Sequence, residues 1–250
     1  MDQATIGYVS YRWHRICNPY SLDQLGRVLD FTDLKPGDRA CDLGCGNGFV
    51  TTWMAERVGL DVTALERFAP VAELARQAAA RPLAQGRVAV VEGRAAPHLA
   101  QAGEHRLVSA IGAIDIFPGL IRPAEVIAAV APSVAPGGWL LWGDPFWKAP
   151  PSPRLDAVFG ADRYATLAGW VAAGEAAGLE PRYTAVSSDA DWEEFFWRMN
   201  ASLEDWAGEH PDDPGAASLR ARAALLRAVY LDEGREGMGF GLYLFRRPFV

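Results

Sequence analysis

Short apolar runs alternating with helix-patterned segments leave this chain few folds to choose from. Residues 39–43, 61–66, 87–92, 106–111 and 138–143 are each brief, apolar and supplied with β-branched or aromatic side chains, as buried strands are. Between them, 47–58 sets Phe49, Val50, Trp53, Met54 and Val58 at helical spacing. Segment 70–80 opens on Pro70, whose missing N–H costs nothing in a first turn. Further helices are expected at 21–31, 123–134 and 163–177. Such a succession closes by right-handed crossovers into a mostly parallel, doubly wound sheet covered on both faces. A chain of 250 residues, half of them hydrophobic, can fill one large α/β domain or a core with an insertion.

The last third departs from the alternation. After a strand near 182–187 comes 191–206, with Trp192, Phe195, Phe196, Met199, Leu203 and Trp206 along one face and Asp191, Glu193 and Glu194 in the first turn. The turn Pro211-Asp212-Asp213-Pro214-Gly215 separates it from a second helix, 216–231, and an apolar strand follows at 239–247. The expected organisation is one compact domain. An N-terminal cap segment and helix occupy 1–36, the core takes 37–188 and 236–250, and a helical lid occupies 189–235.

At the first strand–helix junction stands Cys41-Asp42-Leu43-Gly44-Cys45-Gly46-Asn47-Gly48. Glycines at that density let a backbone turn sharply and hold no Cβ against a ligand, and the helix behind them points unpaired N–H groups at the same spot. A nucleotide-like molecule fits such a cradle. Twenty-four Lys and Arg against 31 Asp and Glu give a formal charge of −7, which argues against a nucleic-acid partner. Residues 1–17 hold no apolar leader and no stretch approaches a membrane span, so no membrane association is expected. Three cysteines fit a reducing cytoplasm better than a disulfide framework. Cys41 and Cys45 have no matching Cys/His set, so no metal is expected.

The dinucleotide fingerprint needs a third glycine where Phe49 stands. What is present, D-x-G-x-G-x-G, resembles motif I of class I S-adenosylmethionine-dependent methyltransferases. Further landmarks follow in order over 37–144: Glu66 ending the second strand, Val90 to Ala95 after the third, the fourth strand at 106–111, and Ala135-Pro136-Gly137-Gly138 turning into the fifth. The resemblance implies a seven-stranded, mostly parallel sheet with an antiparallel last strand and a helical hairpin inserted before it. It also implies S-adenosyl-L-methionine as cofactor. Asp42, Leu43, Gly44, Cys45, Gly46 and Asn47 would lie along it, Glu66 would accept from both ribose hydroxyls beside Arg67, and Arg94, Ala95, Ile111 and Gly112 would border the rest. His14 to Pro19, Trp192 to Trp197 and Gly239 to Arg247 are similar to a poorly characterised group of small bacterial methyltransferases. That group tends to carry His after the fourth strand, where this chain has Asp115, and the wider family often carries Asp beside the adenine, where it has Arg94 and Ala95.

The expected chemistry is methyl transfer to a small-molecule O, N or C nucleophile by in-line displacement. Asp115 is the first candidate for a base and His14 the second. Tyr20, Phe146, Trp147, Trp192, Phe196 and Trp197 are candidates for the acceptor pocket, each with a plainer reading as packing. Asp144-Pro145-Phe146-Trp147 resembles the D-P-P-Y/F motif of amino-methylating enzymes, but follows the fifth strand rather than the fourth and is taken as chance. Two other readings stay open: a cofactor-binding protein that does not methylate, and, disfavoured by the absent glycine, a nicotinamide-dependent oxidoreductase. A homodimer is left open.

Overall fold

A computed structural model describes residues 3–113 and 116–249. Among these, β1 (Arg39–Leu43), β2 (Asp61–Glu66), β3 (Arg87–Glu92), β4 (His105–Ile111), β5 (Val134–Trp147), β6 (Glu180–Val186) and β7 (Met238–Arg246) form one sheet, ordered β3-β2-β1-β4-β5-β7-β6. The first five run parallel, and β7 is antiparallel to both its neighbours. This is the doubly wound sheet that the alternation predicts, with the antiparallel last strand that the resemblance implies.

Period-2 alternation along β5 shows why the sheet needs cover on both sides. Trp139 and Leu141 join a core with α2 (Leu22–Leu29) and α3 (Phe49–Val58). Leu140 and Trp142 join the opposite core, which takes in Ile127 and Val130 of α6 (Pro123–Val130) and Trp170 and Ala173 of α8 (Leu167–Ala176). Trp139, Trp170, Tyr243, Phe240 and Phe245 are almost fully buried. Each large apolar side chain so buried contributes roughly 1.5–3 kcal/mol.

Several elements differ from the sequence expectation. β5 begins at Val134, ahead of the expected turn, because the Gly137 N–H donates to Arg247 O at 2.8 Å and the Arg106 guanidinium donates to Gly137 O. The stretch 163–177 divides into a 3₁₀ turn, Ala161–Arg163, and α8, which Thr166 caps. Helices α1 (Gln3–Tyr11), α5 (Ala95–Ala102) and α7 (Pro153–Phe159) fall where none was expected. The hairpin consists of α9 (Asp189–Glu209) and α10 (Ala216–Val229), and a capping box of Ser188 and Asp191 starts it two residues earlier than its aromatic pattern suggests.

The hairpin's apolar residues are shared between the sheet and α1: Val229 of α10 joins the core with Phe146 and Met238, and Trp192 of α9 packs on the core with Phe240. Phe196, Leu203 and Ala207 of α9 pack with Leu219, Ala223 and Leu226 of α10 around Val9 of α1. Helix α1 therefore lies between part of the hairpin and the rim of the sheet, with α4 (Ala69–Ala79) also in contact with it. Ser202 Oγ donates to Val9 O at 2.6 Å and Arg12 pairs with Glu209 at 2.8 Å, which fixes the two helices to each other. No helix among the described residues is long and apolar enough to cross a membrane.

Candidate active site

The carboxyl ends of β1, β2 and β4 meet beneath the glycine loop, and Asp42 sets that junction. Asp42 is buried, with Thr51 Oγ1 of α3 donating to one carboxylate oxygen and Ser109 Oγ of β4 donating to the other at 2.7 Å. Burial raises its pKa, and those two hydroxyls work against the rise. The Gly44 and Cys45 N–H groups both donate to Leu65 O, at 2.8 and 2.9 Å, so β2 holds the loop from its other side. Gly44 and Gly46 sit at φ +75° and +57°, where a side chain is strained, and both leave bare backbone facing a cavity.

Glu66 ends β2 inside the same cavity. One carboxylate oxygen accepts from Phe68 N at 2.9 Å and the other from Gly46 N at 3.2 Å. A carboxylate offers about four acceptor positions, so roughly two stay available to a ligand with vicinal hydroxyls. Burial raises the Glu66 pKa, and the backbone donors oppose it.

A strap formed by residues 12–20 crosses from α1 over this loop. Asn47 Nδ2 donates to His14 O at 2.8 Å and Asn18 Nδ2 donates to Ile111 O at 3.2 Å, stitching the strap to the ends of β1 and β4. The Arg15 guanidinium lies 4.4 Å from the centre of the Phe49 ring. Gly112, at φ +66°, lets the strap approach: a Cβ there would stand 2.1 Å from Asn18 Oδ1. Burial pushes the Cys17 thiol, which lines the cavity beneath the strap, up to about 12.

The cavity under the strap has a volume of about 560 Å³. Of the sequence-predicted residues, it brings together Gly44, Gly46, Asn47, Glu66, Arg67, Arg94, Ala95, Ile111 and Gly112. Asp42, Leu43 and Cys45 lie behind the loop and do not line it. His14 is buried against Phe195, its Nε2 2.9 Å from Phe195 O and its Nδ1 without a partner among the described residues. Burial lowers the pKa of its ring, so at neutral pH it is uncharged and packs the strap on α9 rather than facing the cavity. Asp115 lies outside the described residues.

None of the six aromatic candidates lines the cavity. Tyr20 stacks on Phe240 in the core above α2. Phe146 and Trp147 turn into the opposite core, where the Trp147 indole donates to Ala161 O at 3.1 Å. Phe196 stacks on Tyr230 at 4.0 Å, Trp192 packs beside it, and Trp197 is exposed and donates to Glu193. Val9 of α1 packs in the cluster that holds Phe196 and Trp192. The roof is made instead by Ile6, Tyr8 and Tyr11 of α1 and Arg12 at the start of the strap, with Arg163 and Arg222. Sequence reasoning missed these because α1 carries no capping signal and little amphipathic pattern, and nothing local ties Arg163 or Arg222 to the glycine loop.

Residues 40–138 match a family described as a methyltransferase domain. The uncharacterized protein YjhP of Escherichia coli K12 is 28% identical over 97% of this chain and 98% of its own length. A ubiquinone biosynthesis O-methyltransferase of Albidiferax ferrireducens is 31% identical over 64% of each chain. Among solved structures, a SAM-dependent methyltransferase from Thiobacillus denitrificans in complex with S-adenosyl-L-homocysteine superposes with a TM-score of 0.84 at 26% identity, covering 98% of this chain and 99% of that one.

Proposed function

By domain and by fold this chain is a class I S-adenosylmethionine-dependent methyltransferase, and on that premise we propose that it methylates a small-molecule nucleophile held beneath α1. The observation that carries the reading is the shared cavity. Bare loop backbone, the Glu66 carboxylate and a partly apolar roof line one cavity of about 560 Å³, within the size range of small-molecule sites.

The residues present suit the cofactor. In this reading Glu66 accepts from the ribose hydroxyls, the loop from Gly44 to Asn47 lies along the amino-acid end, and Phe68, Gly93, Arg94 and Ala95 border the base. Asp42, Leu43 and Cys45 act from behind by holding the loop's shape. S-adenosylmethionine, when bound, supplies a methyl group that is already electrophilic. The protein's part is then to align the incoming lone pair and exclude water, and positioning of that kind can lower a barrier by about 7–11 kcal/mol. Asp115 is the proposed base for an acceptor that must lose a proton: Ala113 and Ile116, which flank it closely in sequence, both line the cavity.

Calorimetric titration with S-adenosylhomocysteine tests the reading. Glu66→Ala removes the ribose acceptor and should weaken binding at least tenfold, since hydrogen bonds to a charged group contribute roughly 1.5–3 kcal/mol. Asp42→Ala should weaken it as well by releasing Thr51 and Ser109. Unchanged affinity in both folded variants would falsify the proposal.

A further inference from the structure

Three buried polar groups meet on one face of the sheet. Trp142, Asp144 and Tyr243 are 2%, 5% and 0% exposed, and their Nε1, Oδ1 and Oη atoms have no hydrogen-bond partner among the described residues. The strands dictate the meeting. Trp142 and Asp144 stand two apart on β5 and so share a face. Tyr243 of β7 lies opposite Trp142, and Gly241 lies opposite Asp144. A Cβ on Gly241 would stand 2.6 Å from Tyr243 Oη, so the phenol reaches over the glycine, beside Asp144. Opposed residues of an antiparallel pair have Cβ positions about 4.5–5.5 Å apart, which keeps that hydroxyl in the neighbourhood of the carboxyl.

Space opens at the same place. Trp142 and Asp144 line a second cavity, of about 20 Å³, whose walls also include Trp170 and Val126. It shares Ala113 with the larger cavity and so borders the site. Other buried indoles in this chain donate to protein oxygens: Trp139 to Asp33 at 2.8 Å, Trp147 to Ala161 O at 3.1 Å and Trp170 to Pro145 O at 2.9 Å. The Trp142 indole is near enough to act on the Asp144 carboxyl, yet the two make no hydrogen bond. A bridging molecule spans such a separation.

The chemistry of the three groups selects the occupant. An indole N–H only donates and cannot ligate a metal ion, and an anion would lie against the carboxyl. A neutral molecule that accepts from two donors and donates to one acceptor meets all three. Water does so with its two lone pairs and one of its hydrogens, and it needs roughly 10–15 Å³ and two to four polar partners. We infer that this cavity binds one ordered water, which accepts from the Trp142 indole and the Tyr243 hydroxyl and donates to Asp144 Oδ1. The water ties β5 to β7 beside the site. It also gives Asp144, first residue of the Asp144-Pro145-Phe146-Trp147 run, a task that does not depend on methyl transfer.

The test is water-to-protein NOE spectroscopy on the full-length protein with isotope-labelled tryptophan, the Trp142 indole signal being assigned by its loss in Trp142→Phe. That proton should show a cross-peak to water with the sign of a long-lived water, and the indoles of Trp139 and Trp170 should show none. Asp144→Asn and Tyr243→Phe each remove an exchanging proton and spare the other partners, so both should retain the cross-peak. Asp144→Leu should lose it. Absence of the cross-peak in the parent, its loss in both conservative variants, or its persistence in folded Asp144→Leu overturns the inference. If Asp144→Leu does not fold, a crystal structure of the parent decides. A density peak within about 3.2 Å of both Trp142 Nε1 and Asp144 Oδ1 upholds the water, and a direct bond between those two atoms overturns it.

Discussion

Asp144 lies near the end of β5 at 5% exposure, with Oδ1 unpartnered among the described residues. Burial pushes its carboxyl from 3.8 up to about 8, while Arg163 and the Trp142 indole pull the other way. Between those two values the folded protein keeps a proton that the unfolded chain releases, so stability falls as pH rises and the loss is complete above about 8. Asp144→Asn removes that slope. Its melting temperature should exceed that of the parent by a margin that grows from pH 5 to pH 8.5, and a margin independent of pH would contradict the account. At the same scale, Asp115→Asn should lower kcat by about 10²–10⁴-fold on an acceptor that loses a proton, with S-adenosylhomocysteine affinity unchanged. Retained kcat would remove Asp115 from the chemistry. The residues whose position at the cavity was legible in sequence are those placed locally: Glu66 at a strand end and glycines in a strand–helix turn. Phe146 and Trp147 share the right strand end, but sequence could not say that they turn into the core with Leu155 and Tyr164.

Elements differ in how much of their own structure they encode. β1, β2 and β3 fall at their expected bounds because polar residues and glycines punctuate short apolar runs. Helix α1 has neither an acidic first turn nor a basic last turn, and it is ordered by contact with α9 and α4. The strap after it depends similarly on borrowed contacts. Asn47→Ala removes two hydrogen bonds to the strap, to His14 O and Arg15 O, and should speed amide exchange across residues 12–18 while weakening S-adenosylhomocysteine binding about 3- to 10-fold. Gly112→Ala should produce the same loosening through the clash with Asn18. Strap exchange unchanged in both variants would show that the stitching has no hold on the site.

For the whole molecule, a mostly parallel doubly wound sheet was readable and the order of layers above it was not. Alternating runs imply parallel crossovers, whereas the stacking of rim, α1 and hairpin depends on contacts such as Ser202 with Val9, between residues far apart in sequence. The expected lid therefore reaches the site mainly through an intermediate helix. Binding that draws on β1, β2, β3, β4 and α1 together should stabilise the molecule as a unit. S-adenosylhomocysteine at about 100 times its Kd stabilises by about 2.7 kcal/mol and should raise the melting temperature by roughly 5–11 °C, with no rise from NAD. A rise from NAD and none from S-adenosylhomocysteine would revive the oxidoreductase alternative.

The position of β7 also sets a timetable. It is the last strand in the chain, yet it lies between β5 and β6 and pairs with β5 from Trp139 to Trp147. Until it arrives, β6 has no strand to pair with and one edge of β5 stays open. At about 5–20 residues per second of synthesis, that slot waits roughly several seconds after β5 has left the ribosome. The β1–β5 half can assemble early, while β6 and the hairpin remain unseated. The nascent chain thus passes through a period in which half a sheet is built and its exposed edge needs shielding, before one late segment slots in to join β5 to β6.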